Sequence, residues 1–106
     1  MTVKRKPHHP LTGIKAKFST VFKLEMTQTA FRDAQAIGYT LEDVVDVVQG
    51  LQSVNFVKSE TAHSPPNHKV WHDTYVVPLD DTDFYLKFAG ETLIDLVMTS
   101  FKELEL

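Results

Sequence analysis

Lys58, His72, Tyr85 and Lys102 are the side chains of this sequence best suited to phosphodiester chemistry. Attack of an RNA 2′-hydroxyl on the adjacent phosphate needs a base for that hydroxyl, an acid for the departing 5′-oxygen, and cations or donors for the charged phosphorane between them. Histidine, tyrosine and lysine supply all three without a metal. An unperturbed imidazole titrates at about 6.5, nearest neutrality, so His72 is the first candidate for proton transfer. Lys58 and Lys102 bring positive charge to the phosphate, and Tyr85 brings a hydroxyl that donates a hydrogen bond or a proton. Lys87, two residues from Tyr85, is a further phosphate contact, and Trp71 offers a face on which an unpaired base stacks. Each residue also has an ordinary structural use: lysines on half-exposed strands keep a chain soluble, and a lone tyrosine or tryptophan commonly anchors a core. Residue types therefore permit a ribonuclease without selecting one.

The elements that position these side chains are legible from periodicity. Leu11, Ile14, Phe18 and Val21 recur at helical spacing behind Pro10, so a first helix is expected from about Pro10. A second follows Thr27 or Thr29 as N-cap, with Phe31, Ala34 and Ile37 on one face and Gly38 as its left-handed end. In the third, Thr40 and Asp43 form a capping box, Leu41, Val44, Val45 and Val48 form the apolar stripe, and Gly50 closes the helix. Beyond Gly50 the pattern turns to period two. Strands are expected at about Val54–Thr61, Lys69–Val77, Thr82–Ala89 and Thr92–Lys102, joined by the turn residues Ser64-Pro65-Pro66-Asn67, Pro78 with Asp80-Asp81, and Gly90-Glu91. Helices first and a meander afterwards predict an α+β fold, with N-terminal helices on one face of a mainly antiparallel sheet of about four or more strands and the other face free for chemistry. Within it, Phe84, Leu86 and Phe88 face one way and Tyr85 and Lys87 the other, while His72 and Trp71 share a face only if a bulge intervenes.

Composition narrows the field. With 106 residues and 42% hydrophobic content, one core and one domain are expected. Cysteine is absent, which excludes disulfides and thiolate metal sites. No apolar run reaches signal-peptide or membrane-spanning length, so the expected location is the cytoplasm. His63, His68 and His72 invite a zinc site, which the turn between them and the lack of cysteine disfavour. No phosphate loop, zinc-protease signature or serine nucleophile elbow is present. The net charge of −3 hides an asymmetry, because residues 1–23 carry six Lys/Arg and no acid. Lys4, Arg5, Lys6, Lys15 and Lys17 thus form a candidate RNA-binding stretch, or equally a solvated basic arm.

Several segments follow one another in a telling order. Lys4-Arg5-Lys6-Pro7-His8 precedes Leu11; Gly38 and Gly50-Leu51 come next, then Asn55-Phe56-Val57-Lys58-Ser59 and His68-x-x-Trp71-His72-Asp73-x-Tyr75. Tyr85-Leu86-Lys87 and Ser100-Phe101-Lys102-Glu103 close the series. From Lys4 to Lys102 this resembles the MqsR family of toxins, with its Lys-Arg-x-Pro-His opening, Asp-Phe-Tyr-Lys-Ser segment and His-x-x-Trp-Gln-Asp-x-Tyr strand. The resemblance implies a single RelE-like domain over residues 1–106, sequence-selective mRNA cleavage without ribosome, metal or cofactor, and a type II toxin held inactive by a cognate, MqsA-like, zinc-binding antitoxin. It implies functional roles for Lys58, Tyr85 and Lys102. The chain departs from the family at His72, where glutamine is usual, gaining a group that exchanges protons, and at Val57, where a tyrosine is lost. The alternatives are a catalytically inactive interaction module with the toxin fold, or a transcriptional regulator using Lys4 to Lys17 on DNA. Against the second, the third helix is acidic at Glu42, Asp43 and Asp46 and carries no base-reading side chains.

Overall fold

The computed structural model describes residues 2–63, 66–79 and 81–104, the side chain of His63 excepted. The turn residues Ser64, Pro65 and Asp80 and the His63 imidazole of the zinc reading lie outside the described residues. Three helices, α1 (Leu11–Lys17), α2 (Gln28–Ala36) and α3 (Leu41–Gln49), precede four long strands, β2 (Phe56–His63), β3 (Pro66–Leu79), β4 (Thr82–Gly90) and β5 (Val97–Glu103). A two-residue strand that periodicity did not reveal, β1 (Val3–Lys4), pairs with β2. The sheet runs β1-β2-β3-β4-β5 with every neighbouring pair antiparallel, which is the expected α+β meander.

Capping explains the helix limits. The Thr27 hydroxyl accepts from the Ala30 N–H, Gly38 ends the turn after α2 at φ 82°, and Thr40 and Asp43 exchange side-chain and backbone hydrogen bonds at the start of α3. Gly50 closes α3 with a right-handed φ of −83°. The apolar stripes rotate slightly from expectation. Ala30 and Ala34 are the buried residues of α2, whereas Phe31 and Leu41 are exposed. Small residues on the inward face let α2 pack closely on β5.

Three strand starts also shift, β3 beginning at Pro66 ahead of the expected Lys69. Ser53–Asn55 forms a 3₁₀ turn, with Asn55 Oδ1 accepting from the Gln52 N–H, so β2 begins at Phe56 and not Val54. Residues 92–96 turn and do not extend. The Asp95 carboxylate accepts from the N–H groups of Glu91 and Thr92 and from the Thr92 hydroxyl, which hold its pKa down to about 2. A Cβ on Gly90 would stand 2.9 Å from Leu96 Cα, so only glycine fits this close approach.

The helices α1 and α3 cover one face of the sheet, and α2 packs along the edge strand β5, reaching the same core through Ala34. Ile14 and Phe18, Ala34, Val44, Val48 and Leu51 meet Tyr75, Val77, Phe84, Leu86, Phe88, Met98 and Phe101 in a single apolar cluster. The outer edge of β5 is partly covered by the segment before α2, through Met98 N–H to Glu25 O and Thr27 N–H to Met98 O.

The N-terminal segment is tied to the same side by a buried carboxylate. Asp73 is fully buried and accepts from the Ser59 hydroxyl and from the N–H groups of His8 (3.2 Å) and His9 (2.8 Å). His9 is also buried, its Nε2 3.1 Å from Gly90 O. The His8 ring stacks on Trp71 with centroids 5.0 Å apart, while its Nδ1 lies 3.0 Å from Lys4 Nζ. Burial, then the charge of Lys4, lower the pKa of His8 below 6.5. The folded state therefore holds this ring neutral. Its contribution is complete above the unfolded pKa and is lost as pH falls through the folded one. Because Trp71 is the single tryptophan, acidification below the ordinary imidazole range is expected to change its fluorescence as the segment loosens, and a His8→Ala variant should lack that transition. A wild-type signal flat to pH 4.5 would refute the coupling.

Candidate active site

The face opposite the helices collects the polar side chains. Residues paired across an antiparallel sheet share a face, so the register defines three rows. Lys58, Thr74, Lys87 and Ser100 lie in the central one. Glu60, His72, Ala89 and Val97 form the row on one side, and Val76, Tyr85 and Lys102 the row on the other. Strict alternation along β3 and β4 causes this. Asp73, Tyr75 and Val77 of β3, and Phe84, Leu86 and Phe88 of β4, are buried toward the helices, which turns His72, Thr74, Tyr85 and Lys87 outward.

Tyr85 is the most densely attended of them. Lys87 Nζ lies 5.5 Å from its ring centroid and Lys102 Nζ 5.8 Å, both in cation–π range. The three border a cleft of about 620 Å³ between the sheet and α2, walled on the far side by Asp33 and Ile37. Lys58 lies across the central row and pairs with Glu60 at 3.4 Å. Between Lys58 and Lys87, the Thr74 hydroxyl is buried and has no hydrogen-bond partner among the described residues. Sequence reasoning missed this threonine, whose signal is its outward place in the same alternation as His72. Tyr75, the other candidate hydroxyl of β3, faces the core, and burial followed by the charge of Asp73 pushes its pKa up to about 12. Tyr85 is thus the tyrosine available at this face.

The remaining expected site residues are not brought here. Trp71 pairs with Gly90 on the helical side of the sheet, its ring stacked on His8 and overlaid by Lys4 Nζ at 4.3 Å. No bulge carries it round to His72. Lys4 is in register with Ser59 and so shares that side, while Arg5 and Lys6 are exposed just beyond β1 at the opposite edge from β5. Lys15 and Lys17 belong to α1, and Lys17 Nζ is engaged by the Ile94 carbonyl and by Glu25 at 3.8 Å. Alternation and helix packing separate the basic N-terminal stretch from the lysines of the open face. Among the described residues, no three His, Cys, Asp or Glu side chains converge as a metal-binding group.

The lysines, tyrosine and histidine of this face are the groups that binding a phosphodiester and moving protons around it would require. The family profile described as "Motility quorum-sensing regulator, toxin of MqsA" matches residues 6–103. The chain is also similar to the mRNA interferase toxin MqsR of Escherichia coli (strain K12), with 32% identity over 100 residues, covering 94% of this chain and 97% of that protein.

Proposed function

Because this chain belongs to the MqsR toxin family, we propose that it is an mRNA interferase toxin and that it cuts RNA on the open face of its sheet, by attack of the 2′-hydroxyl on the adjacent phosphate. One observation carries the placement: Lys58, His72, Tyr85, Lys87 and Lys102 project from the same face, around the buried Thr74 hydroxyl. A phosphate over Thr74 has Lys58 and Lys87 on either side. His72 and Tyr85 stand two residues up and two residues down the strands, about 7 Å each way at ~3.4 Å per residue. Side chains lean along a strand, so both reach toward the central phosphate from opposite ends. They form the proton-transfer pair, and the lysines take the phosphorane charge. Lys102 supports Tyr85 and the neighbouring phosphate.

Recruiting Lys58 costs little. Its pair with Glu60 is partly exposed, and such pairs contribute roughly 0–1 kcal/mol, so a phosphate readily draws the ammonium away. The chain's partners are an RNA substrate and a cognate antitoxin; the finer reading is an MqsA-like antitoxin that carries zinc itself, checked by metal analysis of the co-purified complex.

Purified protein incubated with a long unstructured RNA in EDTA, without ribosomes, is expected to leave discrete cuts ending in 2′,3′-cyclic phosphates. The Lys58→Ala/His72→Ala double variant should leave none. Ends carrying a 3′-hydroxyl, or a requirement for added divalent metal, would overturn this mechanism while the family membership stands.

A further inference from the structure

We propose that Glu60 is a positioning residue for the cut, its carboxylate holding the His72 imidazole in place and in its working tautomer. The inference rests on the ribonuclease reading and adds a residue to the site described above. Glu60 and His72 stand directly opposite each other on β2 and β3. Partners in that relation carry their Cβ atoms about 4.5–5.5 Å apart on one face, within reach of a carboxylate–imidazole hydrogen bond. Glu60 is only 8% exposed, whereas Lys58, its ion-pair partner, has a side chain 43% exposed. A carboxylate so far out of water needs partners for both oxygens, and the half-exposed ammonium 3.4 Å from Oε1 supplies one of them. The imidazole across the strand is the second.

The charges around His72 give this contact a chemical use. Within the paired strands the charged neighbours of His72 on this face are Glu60 opposite it and Lys58 and Lys87 on the diagonals of β2 and β4. Its other cross-strand partner is Ala89, Val3 of β1 lies beyond Glu60, and Glu91 is exposed in the turn after β4. Both lysines disfavour an imidazolium, and within the strands only Glu60 opposes them. Without the carboxylate, an imidazole beside two cations is held neutral and takes either tautomer. With it, one ring N–H donates to Glu60, which turns the other nitrogen toward the central row where the phosphate sits. A carboxylate on the far nitrogen fixes the tautomer and the ring orientation, so that a single nitrogen exchanges the proton. Substrate strengthens the arrangement. A phosphate that draws Lys58 away removes the competing cation from Glu60, and the whole carboxylate charge then acts on His72.

The test compares wild type, Glu60→Gln, His72→Gln and the double variant. Glu60→Gln keeps the shape of the side chain and removes its charge. Cleavage of an unstructured RNA at saturating substrate is expected to slow about tenfold, a part of the 10²–10⁴-fold that a positioned acid or base contributes. Binding of a non-cleavable 2′-deoxy RNA should hold or tighten, since a negative charge leaves a phosphate-binding face. A slower cut with undiminished binding is the opposite of what charge removal alone produces. In the His72→Gln background the same change should cost nothing further, because Glu60 acts through the imidazole. The His72 ring signals, titrated by NMR, should move their midpoint to lower pH in Glu60→Gln, and Glu60→Asp should restore part of both midpoint and rate. An unmoved midpoint, or an equal loss of rate with and without His72, overturns the inference and leaves the ribonuclease reading standing. No cutting at all by wild type overturns that reading and this inference with it.

Discussion

Tyr85→Phe is expected to lower the cleavage rate constant by roughly 10²–10³-fold, the range for loss of a positioned proton donor or of a donor to transition-state charge. Only the hydroxyl is removed. The ring that Lys87 and Lys102 approach remains, so the cation–π contacts and the cleft wall are kept. RNA affinity, measured with a non-cleavable 2′-deoxy substrate at fixed salt, should stay within about threefold, because the lysines that carry the charge are untouched. A loss of affinity with the rate constant preserved would make Tyr85 a binding residue only. His72→Gln is the companion variant. It restores the residue usual in the family, keeps hydrogen bonding and removes proton exchange, so any limb of the rate–pH profile contributed by the imidazole should vanish. An unchanged profile would assign that proton to another group.

The largest effect on stability is expected away from the open face, at Asp73. Replacing it by alanine removes the acceptor for the Ser59 hydroxyl and the His9 N–H, both buried, and for the partly buried His8 N–H. Buried donors left without partners each cost about 1–3 kcal/mol, with incomplete additivity, so a loss of about 3–5 kcal/mol is expected in urea denaturation. Asp73→Asn should cost less, since the amide oxygen still accepts while its NH₂ opposes one of the three donors. The N-terminal segment should release first, exposing Trp71 as His8 leaves its ring. A change below 1 kcal/mol for the alanine variant would show that water replaces the carboxylate without penalty.

Asp73 also illustrates where sequence reading stops. It occupies an inward position in the alternation of β3, between Trp71 and Tyr75, and a charged residue there is a sign of buried function. The two backbone N–H groups it binds lie 64 and 65 residues away in the chain, a pairing that periodicity does not carry. Asp33 is similar: on a helix it reads as a solvated charge, and only the packing of α2 on β5 makes it the wall of a cleft. Residue type and charge group Trp71 and the N-terminal lysines with the site, but side-chain direction puts Trp71, Lys4, Lys15 and Lys17 on the helical side.

The local order of this protein is therefore a property of its sequence. Capping residues, apolar periodicity and turn chemistry act between residues a few positions apart, and they set the helices, the meander and the outward direction of Tyr85 and Lys87. Residue types and their order likewise determined the family. Register across strands was decided by tertiary packing, because a strand chooses its alignment by which face it buries against distant helices. From that choice came the lysine row around Thr74, the Asp73 anchor and the cleft that joins Tyr85 to Asp33.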